Sequence, residues 1–105
     1  MDRQERLPEW HIRFTRLVLR QKSKLPTNVA LRFYRLVTDL KEKGPYLTNW
    51  KSFGLLAKSK NIPINAYHCH IKIGRPTYVV CWQIVDKTIK ILEVFYVGTH
   101  ENAPY

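Results

Sequence analysis

Residues 66–105, AYHCHIKIGRPTYVVCWQIVDKTIKILEVFYVGTHENAPY, most constrain what this chain can fold into. Three runs of strand length follow one another, divided by Gly74-Arg75-Pro76 and Asp86-Lys87. Turn residues between such runs favour tight reversals. The stretch is predicted to be a three-stranded antiparallel meander over residues 66–73, 77–85 and 88–97. Gly98 is expected to take the tail out of the sheet.

Strand side chains alternate between faces. In the first run Tyr67, Cys69, Ile71 and Ile73 share a face, and His68, His70 and Lys72 share the other. In the second, Tyr78, Val80, Trp82 and Ile84 oppose Thr77, Val79, Cys81 and Gln83. Matching the apolar sets puts Tyr67, Cys69 and Ile71 beside Val80 and Trp82, against the rest of the chain. The opposite face presents two imidazoles and an ammonium. If the chain turns back at Gly98, His100 joins them. The third run is apolar on both faces apart from Lys90 and Glu93, as a central strand would be.

The first sixty-five residues read as support. Residues 1–8 are predicted to be a charged, frayed lead-in. Residues 9–14 (EWHIRF) alternate as a short strand that can pair on the far side of the third run. Thr15 suits a helix N-cap before a short basic helix at residues 16–24, with Leu17, Val18 and Leu19 for burial. Residues 26–43 form the clearest helix: Val29, Phe33, Leu36, Val37 and Leu40 make one stripe, and Gly44-Pro45 ends it. Residues 45–65 are irregular, with Trp50, Phe53, Leu55 and Leu56 covering a core edge and Lys51, Lys58 and Lys60 available for phosphate. The fold class implied is α+β: an N-terminal strand and a two-helix hairpin on an antiparallel sheet of three to four strands, in a single domain over residues 1–105.

Charge points to the kind of partner. Residues 1–60 hold fourteen Lys and Arg against five Asp and Glu, whereas residues 61–105 hold four against three. With a pI near 9.9, such a domain suits a polyanion or an acidic protein. The two cysteines, Cys69 and Cys81, fall on opposite faces and are not expected to bridge. The absence of a leader-like apolar segment and of any membrane-length run implies a soluble, cytoplasmic protein with no membrane partner.

The ordered set YHCHIKIGRPTYVVCWQIVDKTIKILEVFYVGTHENAPY, with WHIRFTRLVLRQKSKLPTNVALRFYRLVTDLKEKGP before it, resembles the RelE/ParE toxin superfamily, and within it the RelE-like messenger-RNA interferases. The resemblance runs over nearly the whole chain. It implies a toxin of a type II toxin–antitoxin system that cuts messenger RNA on the ribosome without a metal or other cofactor, so inhibiting translation. His68 and His70 fall where such toxins place two lysines in the active cleft. His100 falls at the basic residue after Val-Gly, and Tyr105 one position from a late tyrosine that contacts substrate. Val79 departs from the pattern, standing where the family often has an arginine, and Arg75 in the preceding turn is the available replacement. The implied partners are a cognate antitoxin, messenger RNA and the ribosome, with operator DNA engaged only through the antitoxin.

These residue types fit metal-free RNA cleavage. Histidine offers both protonation states near neutrality, and lysine and arginine stabilise the phosphate's developing charge. His100 is the expected leading acid or base, with Tyr105 as helper or stacking group. His68 and His70 share base and phosphate-binding roles, and Lys72 and Arg75 hold phosphate. Three histidines also match a zinc donor set, but no carboxylate or cysteine is placed to complete one. The competing functions are a ParE-like toxin directed at gyrase and a basic RNA- or ribosome-binding module without chemistry.

Overall fold

The computed structural model of the protein describes residues 8–105. Residues 1–7 of the predicted lead-in, and with them the expectation about a leader, lie outside them. Strand β1 (His11–Phe14) is followed by helices α1 (Arg16–Lys22) and α2 (Thr27–Lys43) and then by strands β2 (Gly54–Leu56), β3 (Ala66–Lys72), β4 (Tyr78–Asp86) and β5 (Ile91–Thr99). A short 3-10 turn, His100–Asn102, precedes the end of the chain. No described helix is long and apolar enough to cross a membrane.

The fold is α+β, as expected, but the sheet has five strands in the order β1-β5-β4-β3-β2. β1 does lie beside β5, yet it runs parallel to it, so the sheet is mixed rather than antiparallel. A four-residue alternation reads the same in either direction, which is why the sequence leaves strand polarity open. The added strand β2 pairs with β3 at the far edge, inside the stretch expected to be irregular. Three residues are too few to show a period. β5 starts at Ile91, three residues later than predicted, because the Asp86 carboxylate accepts the N–H groups of Thr88 (2.9 Å) and Ile89 (3.1 Å) and rounds out a longer turn.

Both helices cover one face of the sheet. Thr15 caps α1, its hydroxyl accepting the Val18 N–H at 3.2 Å. Only Val18 of that helix is buried; Leu17 and Leu19, expected to be buried with it, are exposed. In α2 the predicted stripe faces the sheet, with Val29, Phe33, Leu36 and Leu40 buried and Val37 partly so. They meet Cys69, Ile71, Val80, Trp82, Leu92, Val94 and Val97 from the strands.

The segment after α2 is a packed strap. Trp82, fully buried, donates its indole N–H to the Pro45 carbonyl at 3.1 Å. Trp50 donates to the Asp39 carboxylate at 2.8 Å, and Phe53 stacks on Tyr67 and Trp82 with centroids 5.7 and 6.1 Å away. A second, smaller core lies on the opposite face: Leu56, Ile62, Ala66, Val79, Cys81 and Tyr96, with Phe95 and Ala103 packed against it. Cys69 and Cys81 therefore belong to different cores and are both free. Burial pushes each thiol up to about 12, so neither is a ready nucleophile at neutral pH.

Gly44 ends α2 with φ +87°, and a Cβ there would sit 2.8 Å from the Trp10 indole nitrogen. Gly44→Ala combines a left-handed backbone with a steric clash. It is expected to cost about 1–3 kcal/mol in a urea titration, with little change in the denaturant slope.

Candidate active site

Pairing of β3 with β4 decides which side chains are presented. Cys69 pairs with Val80 and His70 with Val79, so Cys69 enters the helix-side core while His68 and His70 project from the opposite face. His70 is further fixed by its backbone N–H, which donates to the Lys51 carbonyl at 2.8 Å. A register shift follows between His70 and Lys72. Beyond it Lys72 does not line the cleft that holds His100 and Arg75, as the simple alternation predicted, but meets His70 in a second, smaller cleft. The bulge is the physical reason, because one extra residue breaks the period of two.

The tail brings the remaining groups. Contrary to expectation, Gly98 does not leave the sheet: it pairs with Val79, and Thr99 pairs with Tyr78. Its role is to admit Tyr96. A Cβ at position 98 would lie 2.7 Å from the Tyr96 hydroxyl, which donates to the Thr99 carbonyl at 2.7 Å. The chain then turns over the sheet, and the His100 N–H donates to the Thr77 carbonyl at 2.8 Å.

Four rings converge as a result. Centroids are 6.3 Å apart for His68–His70, 5.4 Å for His70–His100, 5.8 Å for His100–Tyr105 and 4.7 Å for Tyr105–His68. Beside them lies an open cleft of about 680 Å³ lined by His70, Gly74, Arg75, Pro76, Thr77, His100 and Glu101. Arg75 is held there by a turn in which the Thr77 hydroxyl accepts the Gly74 N–H (3.1 Å) and donates to the Gly74 carbonyl (3.0 Å). Val79 is fully buried directly across from His70.

The electrostatics separate the groups. Burial, then the neighbouring His70 and His100, hold the His68 imidazole below its usual value. Burial, then His100 and Lys51, do the same for His70. Both are therefore neutral at pH 7 and able to accept a proton. Burial pushes the Tyr105 phenol up to about 12, so at neutral pH it is a hydrogen-bond donor or stacking surface and not a base. His68 Nδ1 is buried without a hydrogen-bond partner among the described residues. An unpaired buried nitrogen is costly. Among the described residues, no group of three or more His, Cys, Asp or Glu side chains is placed to hold a metal ion.

Sequence reasoning missed two contributors. The sequence marks Lys51 only as a general phosphate contact, yet it sits against His70; its position depends on the strap and β2, which carry no periodic signal. Glu101 lines the cleft beside His100, and no sequence pattern marks it because it falls in an unpatterned tail.

In an NMR pH titration, His68 and His70 are expected to lose their protons below the usual 6.5. His100→Ala should raise both values, since one opposing charge is removed from each. Lowered values mean that protonation disfavours the folded state, so this stability is complete above 6.5 and declines as pH falls through the folded-state values.

No protein-family model matches the chain, and no curated protein matches it in sequence. Solved structures do match. The isolated Escherichia coli RelE toxin aligns over 90% of this chain and 88% of its own, at 19% identity and a TM-score of 0.63. RelE in the intact E. coli RelBE toxin–antitoxin complex aligns over 85% and 94%, at 20% identity and 0.58. The archaeal RelE–RelB complex from Pyrococcus horikoshii OT3 aligns over 90% and 98%, at 14% identity and 0.60.

Proposed function

The fold is that of RelE toxins, and we propose that this chain is a toxin of a toxin–antitoxin pair that cleaves messenger RNA on the ribosome. The observation that carries the proposal is the convergence of His68, His70, His100 and Tyr105 beside the Arg75 cleft. That set can move protons onto and off a phosphodiester.

The reaction uses the RNA's own 2′-hydroxyl. His70, or His68 behind it, accepts the 2′-hydroxyl proton as the O2′–P bond forms. The P–O5′ bond breaks as His100, in its protonated form, donates to the leaving 5′-oxygen. The products are a 2′,3′-cyclic phosphate and a 5′-hydroxyl. Arg75 neutralises the charge on the phosphoryl oxygens, and Tyr105 supplies its phenol as donor or stacks on an unpaired base. The lowered values of His68 and His70 favour the base role for them over phosphate binding.

The E. coli and Pyrococcus RelE proteins are each seen in complex with RelB. By analogy, this chain's partner is a small antitoxin, and the basic excess of residues 1–60 suits an acidic one. The buried Val79, where the family often has an arginine, favours a second reading: a ribosome-binding module with little or no cleavage.

A cell-free translation extract separates the two. The nuclease reading expects translation to stop and messages to be cut with cyclic-phosphate ends. His100→Ala and the His68→Ala/His70→Ala pair should each slow cleavage by about 100-fold or more. The wild-type rate should fall as pH drops below 6.5, as the bases become protonated. Uncut messages under blocked translation would select the binding module, and wild-type rates in both variants would remove the histidines from the chemistry.

A further inference from the structure

A second cleft, of about 250 Å³, is also bounded by His70 and is lined by Arg32, Trp50, Lys51, Lys72 and Ile73 among others. We propose that it binds the phosphodiester backbone of the RNA strand next to the cleaved bond, so that Arg32, Lys51 and Lys72 hold the phosphate adjacent to the one at His70 and His100. The proposal rests on the nuclease reading and extends it to how the substrate is gripped.

Three cations reach this cleft from three different elements: Arg32 from α2, Lys51 from the strap and Lys72 from β3. No carboxylate lines it. The ion pairs seen among the described residues, Arg13–Glu93 and Lys43–Asp39, involve none of the three. Arg32 is aimed by the bulge, its guanidinium donating to the Ile71 carbonyl at 3.4 Å, which leaves its other N–H groups for a ligand. Lys51 is positioned through its own carbonyl on His70, and Ile73 at the rim is 55% exposed, an apolar surface for a ribose or base. The two clefts share His70 as a common wall. A strand whose reacting phosphate lies at His70 therefore has its neighbouring phosphate directed along this wall. A merely solvated basic surface gives no reason for such convergence on one catalytic-side imidazole.

Backbone binding of this kind leaves a salt signature. For single-stranded nucleic acid the logarithm of affinity falls with the logarithm of salt at about 0.7 per phosphate contact. The test measures fluorescence anisotropy of a labelled 2′-O-methyl oligouridylate, which lacks the nucleophilic hydroxyl, across a potassium chloride series. Lys51→Ala and Lys72→Ala are each expected to weaken binding and flatten the slope by about 0.7, while Lys87→Ala, in the β4–β5 turn, leaves both unchanged. Circular dichroism melts check that the variants are folded, and Lys51→Arg should restore the slope. If the wild type binds but both variants keep its affinity and slope, the second cleft is not a phosphate site and the nuclease reading stands. If the wild type shows no salt-dependent binding, the proposal falls, and the cell-free cleavage assay alone decides the nuclease reading. Displacement effects confined to poly-L-glutamate would assign the cleft to an acidic protein and overturn the proposal.

Discussion

The register between β3 and β4 is the constraint on which the rest of the structure depends. With Cys69 opposite Val80 and His70 opposite Val79, the apolar residues of β3 close the helix-side core and the imidazoles point away from it. A slip of one residue would exchange the two faces, driving His68 and His70 against Phe33 and Leu36 and exposing Cys69 and Ile71. The buried Trp82 resists that slip from within, because its indole is committed to Pro45 and its ring to Phe53. The core therefore enforces the placement of the site.

A second dependence runs through the tail. His100 and Tyr105 belong to no regular strand, and their positions follow from a short chain of contacts: Tyr96 into the space left by Gly98, its hydroxyl onto Thr99, and the His100 N–H onto Thr77. Ala103 then packs on the small core formed by Val79, Cys81 and Tyr96. The second core is thus more than filler under a polar face. It is the seat that holds the tail's rings within 4.7–5.4 Å of the strand histidines.

Period-two alternation made the division of faces legible, and with it the separation of the cysteines and the pairing of His68 with His70. The stripe of α2 was equally plain, since Val29, Phe33, Leu36 and Leu40 recur at helical spacing. What stayed hidden lacked a period. β2 is three residues long, β1 carries no mark of its polarity, and the shift after His70 breaks the alternation that had placed Lys72 with the histidines. Arg32 was legible as part of α2 but not as a lining of the second cleft, because nothing in a helix stripe records which turn will meet a bulged carbonyl. The convergence of four rings also depended on the tail contacts, which no local pattern announces.

Val79 and the histidines are best understood together. A lysine can serve as a base at neutral pH only if its value is depressed by several units, and a nearby cation is one means of doing so. An imidazole needs no such help. A fixed positive charge at position 79, directly across from His70, would push both imidazoles further below the values that burial and mutual repulsion already impose. It would also have to be accommodated where Val79 now sits fully buried beneath the tail. A valine at this position adds no such charge and packs with Ala103 of the tail in the smaller core. The cations lie instead at the edges, Arg75 in one cleft and Arg32, Lys51 and Lys72 in the other. Of these, Lys51 is close enough to hold the His70 imidazole down, as His100 also does.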